Sequence, residues 1–138
     1  MSCNSLIDVA TTTSTSVLAN AAIPFNTIVR RRGREIGQSG TAVAISDCGS
    51  NFYLVNVTVT FTAPVAGTVT VALQQNGAAV VGGTASTTIT TATTEVRSLS
   101  FSAIVRTYNS QNIIDTLTLL NSGVAITVSN ADMTVVKL

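Results

Sequence analysis

No histidine and no tryptophan occur in these 138 residues, and charge is scarce: seven basic and six acidic side chains make up 9% of the chain, against roughly 25% in ordinary soluble domains. Each shortage excludes something. Without histidine, a catalytic triad or a metal-bound water would have to recruit its base from lysine, tyrosine, cysteine or carboxylates. Lys137 is the single lysine, and Tyr53 alternates with valines on what reads as a core face. The acids Asp8, Glu35, Asp47, Glu95, Asp115 and Asp132 are dispersed and form no recognisable pair. Neither an enzyme nor a cofactor is expected.

Cysteine is almost as rare. Cys3 and Cys48 have no Cys-x-x-Cys spacing, and with no histidine to complete it a zinc site is excluded. Their ordinary reading is two reduced thiols, with an intersubunit bridge left open. A calcium site drawing on Asp47, Asn51 or Asp132 in apical loops is chemically permissible, but Asp and Asn are turn formers first. A net charge of +1 argues against the basic field that neutralises phosphates, so no nucleic acid partner is expected.

The mean hydropathy is high, at +0.48, yet every long uncharged stretch is interrupted by Thr, Asn, Gln or Gly, so no membrane-spanning helix is expected. The opening MSCNSLIDVATTTSTS lacks a basic region followed by an apolar one, and no secretory signal is expected. That discounts Asn56-Val57-Thr58 as a glycosylation sequon.

What the chain does contain is β-strand pattern. Thr, Val and Ile dominate, and β-branched side chains lose rotamer freedom against a helical turn. From Phe52 to Phe61 the series Tyr53, Val55, Val57, Val59, Phe61 alternates with polar residues, the period of a strand with one buried face. After Ala63-Pro64-Val65-Ala66-Gly67 the pattern resumes over Thr68 to Gln75, and the two segments read as an antiparallel hairpin. Asn76-Gly77 is a turn signal, because both residues tolerate positive φ. Gly82-Gly83 marks a bulge before a Thr-rich strand around Thr87 to Thr91.

Further strands are expected over Glu95 to Arg106, Ile113 to Leu120, Val124 to Val128 and Met133 to Leu138, with weaker candidates at Ser16 to Ile23, Thr27 to Arg31 and Thr41 to Ser46. A loop is expected at Thr107 to Gln111. About ten short strands punctuated by turns give an all-β, antiparallel jelly-roll sandwich as the expected fold. Residues 16–138 form the single domain, and residues 1–15 read as a flexible N-terminal arm.

The one unusual charge feature is Arg30-Arg31-Arg32-Gly33-Arg34-Glu35, where Gly33 predicts a turn. Such a run is either a solvated loop or a docking patch, in which Arg30, Arg31, Arg32 and Arg34 grip an acidic surface through bidentate bonds.

From Gly49 onward the chain resembles the jelly roll shared by complement globular heads, tumour-necrosis-factor-like ligands and exosporium filament tips. The resemblance is carried by Asn51-Phe52-Tyr53-Leu54-Val55, by Gly67 to Leu73 followed by Asn76-Gly77, and by Leu117 to Ser122 through Met133 to Leu138. The N-terminal third departs from it, and residues 1–15 contain no Gly-X-Y repeat. Free-standing domains of this kind resemble phage head decorations and head fibres.

The resemblance implies a homotrimer on a virion surface, assembled in the host cytoplasm and contacting a capsid shell protein. A trimeric head binding host glycans or proteins, or a spore-surface component, is the alternative. Along Ile113 to Leu120, period two sends Ile114, Thr116, Thr118 and Leu120 to one face. The resemblance implies that this face lines the trimer axis.

Overall fold

The computed structural model of the chain describes residues 5–46, 49–109 and 114–138. Cys3, Cys48, Asp47 and Ile113 lie outside them. The described residues form twelve strands: β1 (Leu6–Thr11), β2 (Thr15–Val17), β3 (Ala21–Ala22), β4 (Thr27–Arg32), β5 (Ile36–Ser39), β6 (Ala42–Ile45), β7 (Gly49–Thr62), β8 (Gly67–Gln75), β9 (Ala78–Ile89), β10 (Arg97–Asn109), β11 (Asp115–Asn121) and β12 (Ile126–Lys137). The paired strands are antiparallel.

Two sheets face each other. The first runs β10-β7-β12-β1-β4, with β2 added beside β12; the second runs β5-β6-β11-β8-β9, with β3 beside β11. Between them lies one core, containing Tyr53, Phe61, Ile7, Ile45, Leu73, Ile89, Leu117, Leu119 and Met133 with essentially no exposed surface. The alternation predicted this directly: Tyr53, Val55, Val57, Val59 and Phe61 are all buried, as are Val69, Val71 and Leu73 of β8. Asn76 and Gly77 turn the β8–β9 hairpin with φ of 53° and 83°. The register slips near Ala72 and Gln74, opposite Gly82 with φ 81°, where a bulge was expected.

Four expectations are corrected. Residues 1–15 are not uniformly an arm, because Leu6–Thr11 is a strand inside the first sheet, between β12 and β4. Ile7 and Val9 are fully buried there, and the neighbouring Thr-rich run hides that short alternation in the sequence. Second, β7 and β8 do not pair; Ala63 to Ala66 carry the chain from one sheet to the other. Period two says which side chains face the core, but not which strand lies alongside. Third, the two strands expected from Val124 onward are one, β12, bent by a bulge between Val128 and Asn130. Fourth, of the loop expected at Thr107 to Gln111, Thr107 to Asn109 instead belong to β10, and Ser110 and Gln111 lie outside the described residues.

Candidate functional site

The arginine run is divided by the fold. Arg30, Arg31 and Arg32 belong to the edge strand β4 rather than to a loop, and Gly33, with φ 94°, turns the chain toward the other sheet. Arg32 sits opposite Leu6 and Arg30 opposite Asp8 on the outer face of the first sheet, while Arg31 pairs with the inward-facing Ile7. The Arg31 Nε donates to the Ile36 carbonyl at 2.7 Å and so ties β4 to β5. Arg30, Arg31, Arg32 and Arg34 are all exposed, so the four candidate docking residues reach solvent, Arg31 while also holding the Ile36 carbonyl.

Of the candidate axis residues, Thr116, Thr118 and Leu120 lie on the outward face of β11, in the middle of the second sheet, and Ile114 immediately precedes that strand. Thr116, Thr118 and Leu120 are half-buried and Ile114 is 53% exposed. Their cross-strand neighbours are small or neutral: Ala44 beside Thr116, Gln74 beside Thr118, Ala72 and Ala22 beside Leu120. The amide of Thr116 donates to the Asn76 Oδ1 at 2.9 Å.

A second apolar surface lies on the other sheet, and no single segment of the sequence signals it. The register aligns Ile104 of β10, Leu54 of β7, Val136 of β12 and Leu6 of β1 in one row across four strands. Phe52 and Leu138 extend it at one end, where the Leu138 amide donates to the Phe52 carbonyl. Ile104 is 58% exposed, Phe52 49% and Leu138 66%. Arg106 lies over the Phe52 ring, 5.5 Å from its centroid, and its Nε donates to the Ser50 Oγ at 2.8 Å. Each of these residues stands at an ordinary outward position of its own strand; only the pairing order brings them together.

Beyond the row the same face turns polar. Asp8 and Asp132 both lie within reach of the Thr134 hydroxyl, at 3.2 and 3.1 Å. Burial, then the hydrogen bond and charge of Asp8, push the Asp132 carboxyl up to about 6. Asp132 is therefore a strand residue, not an apical-loop ligand. It pairs with Thr58, and Asn51 lies seven positions further along β7, about 23 Å away at about 3.3 Å per residue. The suggested calcium grouping does not form from these two. Glu95 is held down at about 2 by the Thr91 amide and the Arg97 side chain, with Thr90 also contributing; its carboxylate takes both backbone donors and closes the turn before β10. The sequon residues Asn56 and Thr58 are exposed on the outer face of the first sheet.

The sequence matches no protein-family model and no curated protein. Solved structures share the fold. Murine APRIL, crystallised at pH 5.0, aligns over 99% of this chain and 100% of that one, with a TM-score of 0.64 and 18% identity. The globular domain of zebrafish complement 1qA protein covers 95% and 94%, at 0.55 and 10%. The vertex protein P5 of PRD1 covers 97% and 96%, at 0.60 and 15% identity. The chain therefore has the jelly-roll fold of tumour-necrosis-factor-like ligands and complement heads, shared with a viral vertex protein.

Proposed function

We propose that this chain is a non-enzymatic structural protein that works as a homotrimer on a virion surface, as a capsid decoration or head fibre, and that copies associate through the outer face of the first sheet. The row Ile104, Leu54, Val136 and Leu6, extended by Phe52 and Leu138, carries the reading. Apolar area of this kind is stabilised by removal from water at about 25 cal/mol per Å², and contiguous exposed apolar patches mark interaction surfaces. The scarcity of charge, 9% of the chain, supports the same reading. Threefold symmetry is what the family resemblance implies, and likeness to a vertex protein supports the virion setting.

The outward face of β11, with Thr116, Thr118 and Leu120 and the preceding Ile114, is the alternative interface, favoured by the exposed Ile114. Arg30, Arg32 and Arg34 are proposed to dock on an acidic surface of a shell protein, with Arg31 holding the strand that presents them. Assembly in the host cytoplasm follows from the virion reading.

The test joins a solution mass to imaging. Light scattering at micromolar concentration should give three times the chain mass, and particles made with and without this protein should differ by surface density. A monomer, or particles lacking that density, overturns the proposal; binding on a glycan array by such a protein would favour an adhesive head.

A further inference from the structure

Where the edges of the two sheets meet, the β8–β9 hairpin stands off from β10 and leaves an open cleft of about 530 Å³. Its walls include Val81 and Ile104, which are 98% and 58% exposed. Val81 is thrown outward by the bulge at Gly82, whose φ of 81° suits glycine. Gln75 bridges the cleft by donating its Nε2 to the Arg106 carbonyl at 2.8 Å. The Arg106 side chain is engaged elsewhere, over Phe52 and on Ser50.

Asp115 also lines this cleft and is only 5% exposed. Its Oδ1 accepts from the Asn76 Nδ2 at 2.6 Å, and its Oδ2 has no hydrogen-bond partner among the described residues. A buried carboxylate oxygen left without a donor is costly, and the cost falls most when a cation supplies the donor. The apolar side chains that line the same cleft suit a cation carried on an aliphatic stem.

We infer that the cleft is a binding site for a primary alkylammonium, the chemistry of a lysine side chain, with the ammonium donating to Asp115 and the stem lying between Val81 and Ile104. The site shares Ile104 with the apolar row proposed as the interface, and its other lining residues lie outside that row. It is tested on the whole protein by following backbone amide signals during titration with n-butylammonium chloride. Saturable shifts at Gln75, Val81, Ile104 and Asp115 are expected. Affinity should fall about tenfold or more in Asp115→Asn, which keeps the shape but removes the charge-assisted bond.

Val81→Ser, at a position too exposed to affect folding, should weaken n-butylammonium more than methylammonium. An Nα-acetyl-lysine methylamide arm separates two supporting outcomes. Tighter binding of that probe points to a lysine in a partner protein, and tighter binding of the simple amine points to a free amine. Shifts that do not saturate, that persist in a folded Asp115→Asn, or that n-butanol or sodium chloride reproduces at equal concentration would overturn the site. If Asp115→Asn loses its native spectrum, the Val81→Ser comparison decides: equal weakening of both amines overturns it.

Discussion

Asp8 of β1 and Asp132 of β12 share one hydroxyl, that of Thr134, which lies 3.2 Å from the first carboxylate and 3.1 Å from the second. One hydroxyl hydrogen cannot serve both oxygens, so the arrangement is fully satisfied when the pair holds a proton.

The stability of the fold should therefore depend on Asp132. Its folded value of about 6 lies above the ordinary 3.8, chiefly through burial and then through Asp8. The folded state binds the proton more tightly, so stability falls as pH rises from about 4 to about 6, and the whole penalty is present above that. Facing the pair are Thr58, Asn56 and Arg30. Asp132→Asn should raise the melting temperature at pH 7 by on the order of 3 °C and flatten its slope between pH 4.5 and 7. An unchanged slope in thermal melts would show that the pair does not share a proton. This window avoids Glu95, whose contribution is present above about 4.5 and lost as pH falls toward about 2.

The two candidate faces respond differently to a buried charge. Leu54→Arg places a cation in the middle of the apolar row, and an unpaired charge in a desolvated contact is strongly destabilising. We expect it to dissociate the oligomer, while Thr118→Arg, on the half-buried face of β11, leaves it intact. Light scattering on the two variants reads the result, and the reverse pattern transfers the interface to β11.

Within the arginine run, stability and docking should separate. Arg30→Ser with Arg32→Ser should leave the melting temperature within about 2 °C, since exposed charges contribute little. Arg31→Ser removes the bond to the Ile36 carbonyl and should cost about 1 kcal/mol in urea unfolding. Co-sedimentation with the shell should weaken and lose salt dependence only in the double variant.

Asn76 does more than turn the hairpin. Its side chain donates to Asp115 and accepts from the Thr116 amide, at 2.6 and 2.9 Å, so it clamps the hairpin to β11. Asn76→Ala strips Asp115 of its donor and should cost about 2–3 kcal/mol, measured by chemical unfolding. Asn76→Gly keeps the positive φ and should cost nearly as much, which would separate the clamp from the turn.

Gly123 is required for a close approach. A Cβ there would run into the Thr68 carbonyl oxygen and lie 2.7 Å from the Thr70 nitrogen, both backbone atoms that side-chain motion cannot relieve. Gly123→Ala should destabilise the protein by more than about 2 kcal/mol. A melting temperature equal to that of the wild type would mean that the Asn121–Gly123 turn moves freely against β8.

The residues of β7, β8 and β11 determined their own burial. An alternation such as Tyr53, Val55, Val57, Val59, Phe61 has one low-energy solution, a strand with that face covered, whatever strand lies beside it. The Asn76-Gly77 turn was equally legible, because positive φ at two successive residues is a local demand met by few side chains. Asp115 was legible in part: period two puts it on the face of Leu117 and Leu119, a carboxylate among core residues. What local sequence left open was partnership. The segments flanking Pro64 look like a hairpin, yet they enter opposite sheets, and Leu6–Thr11 is too short to stand out until β12 and β4 pair with it on either side. The apolar row and the Asp8–Asp132 pair exist only because strands far apart in the chain align in one register, and that alignment is decided by burying the whole core at once.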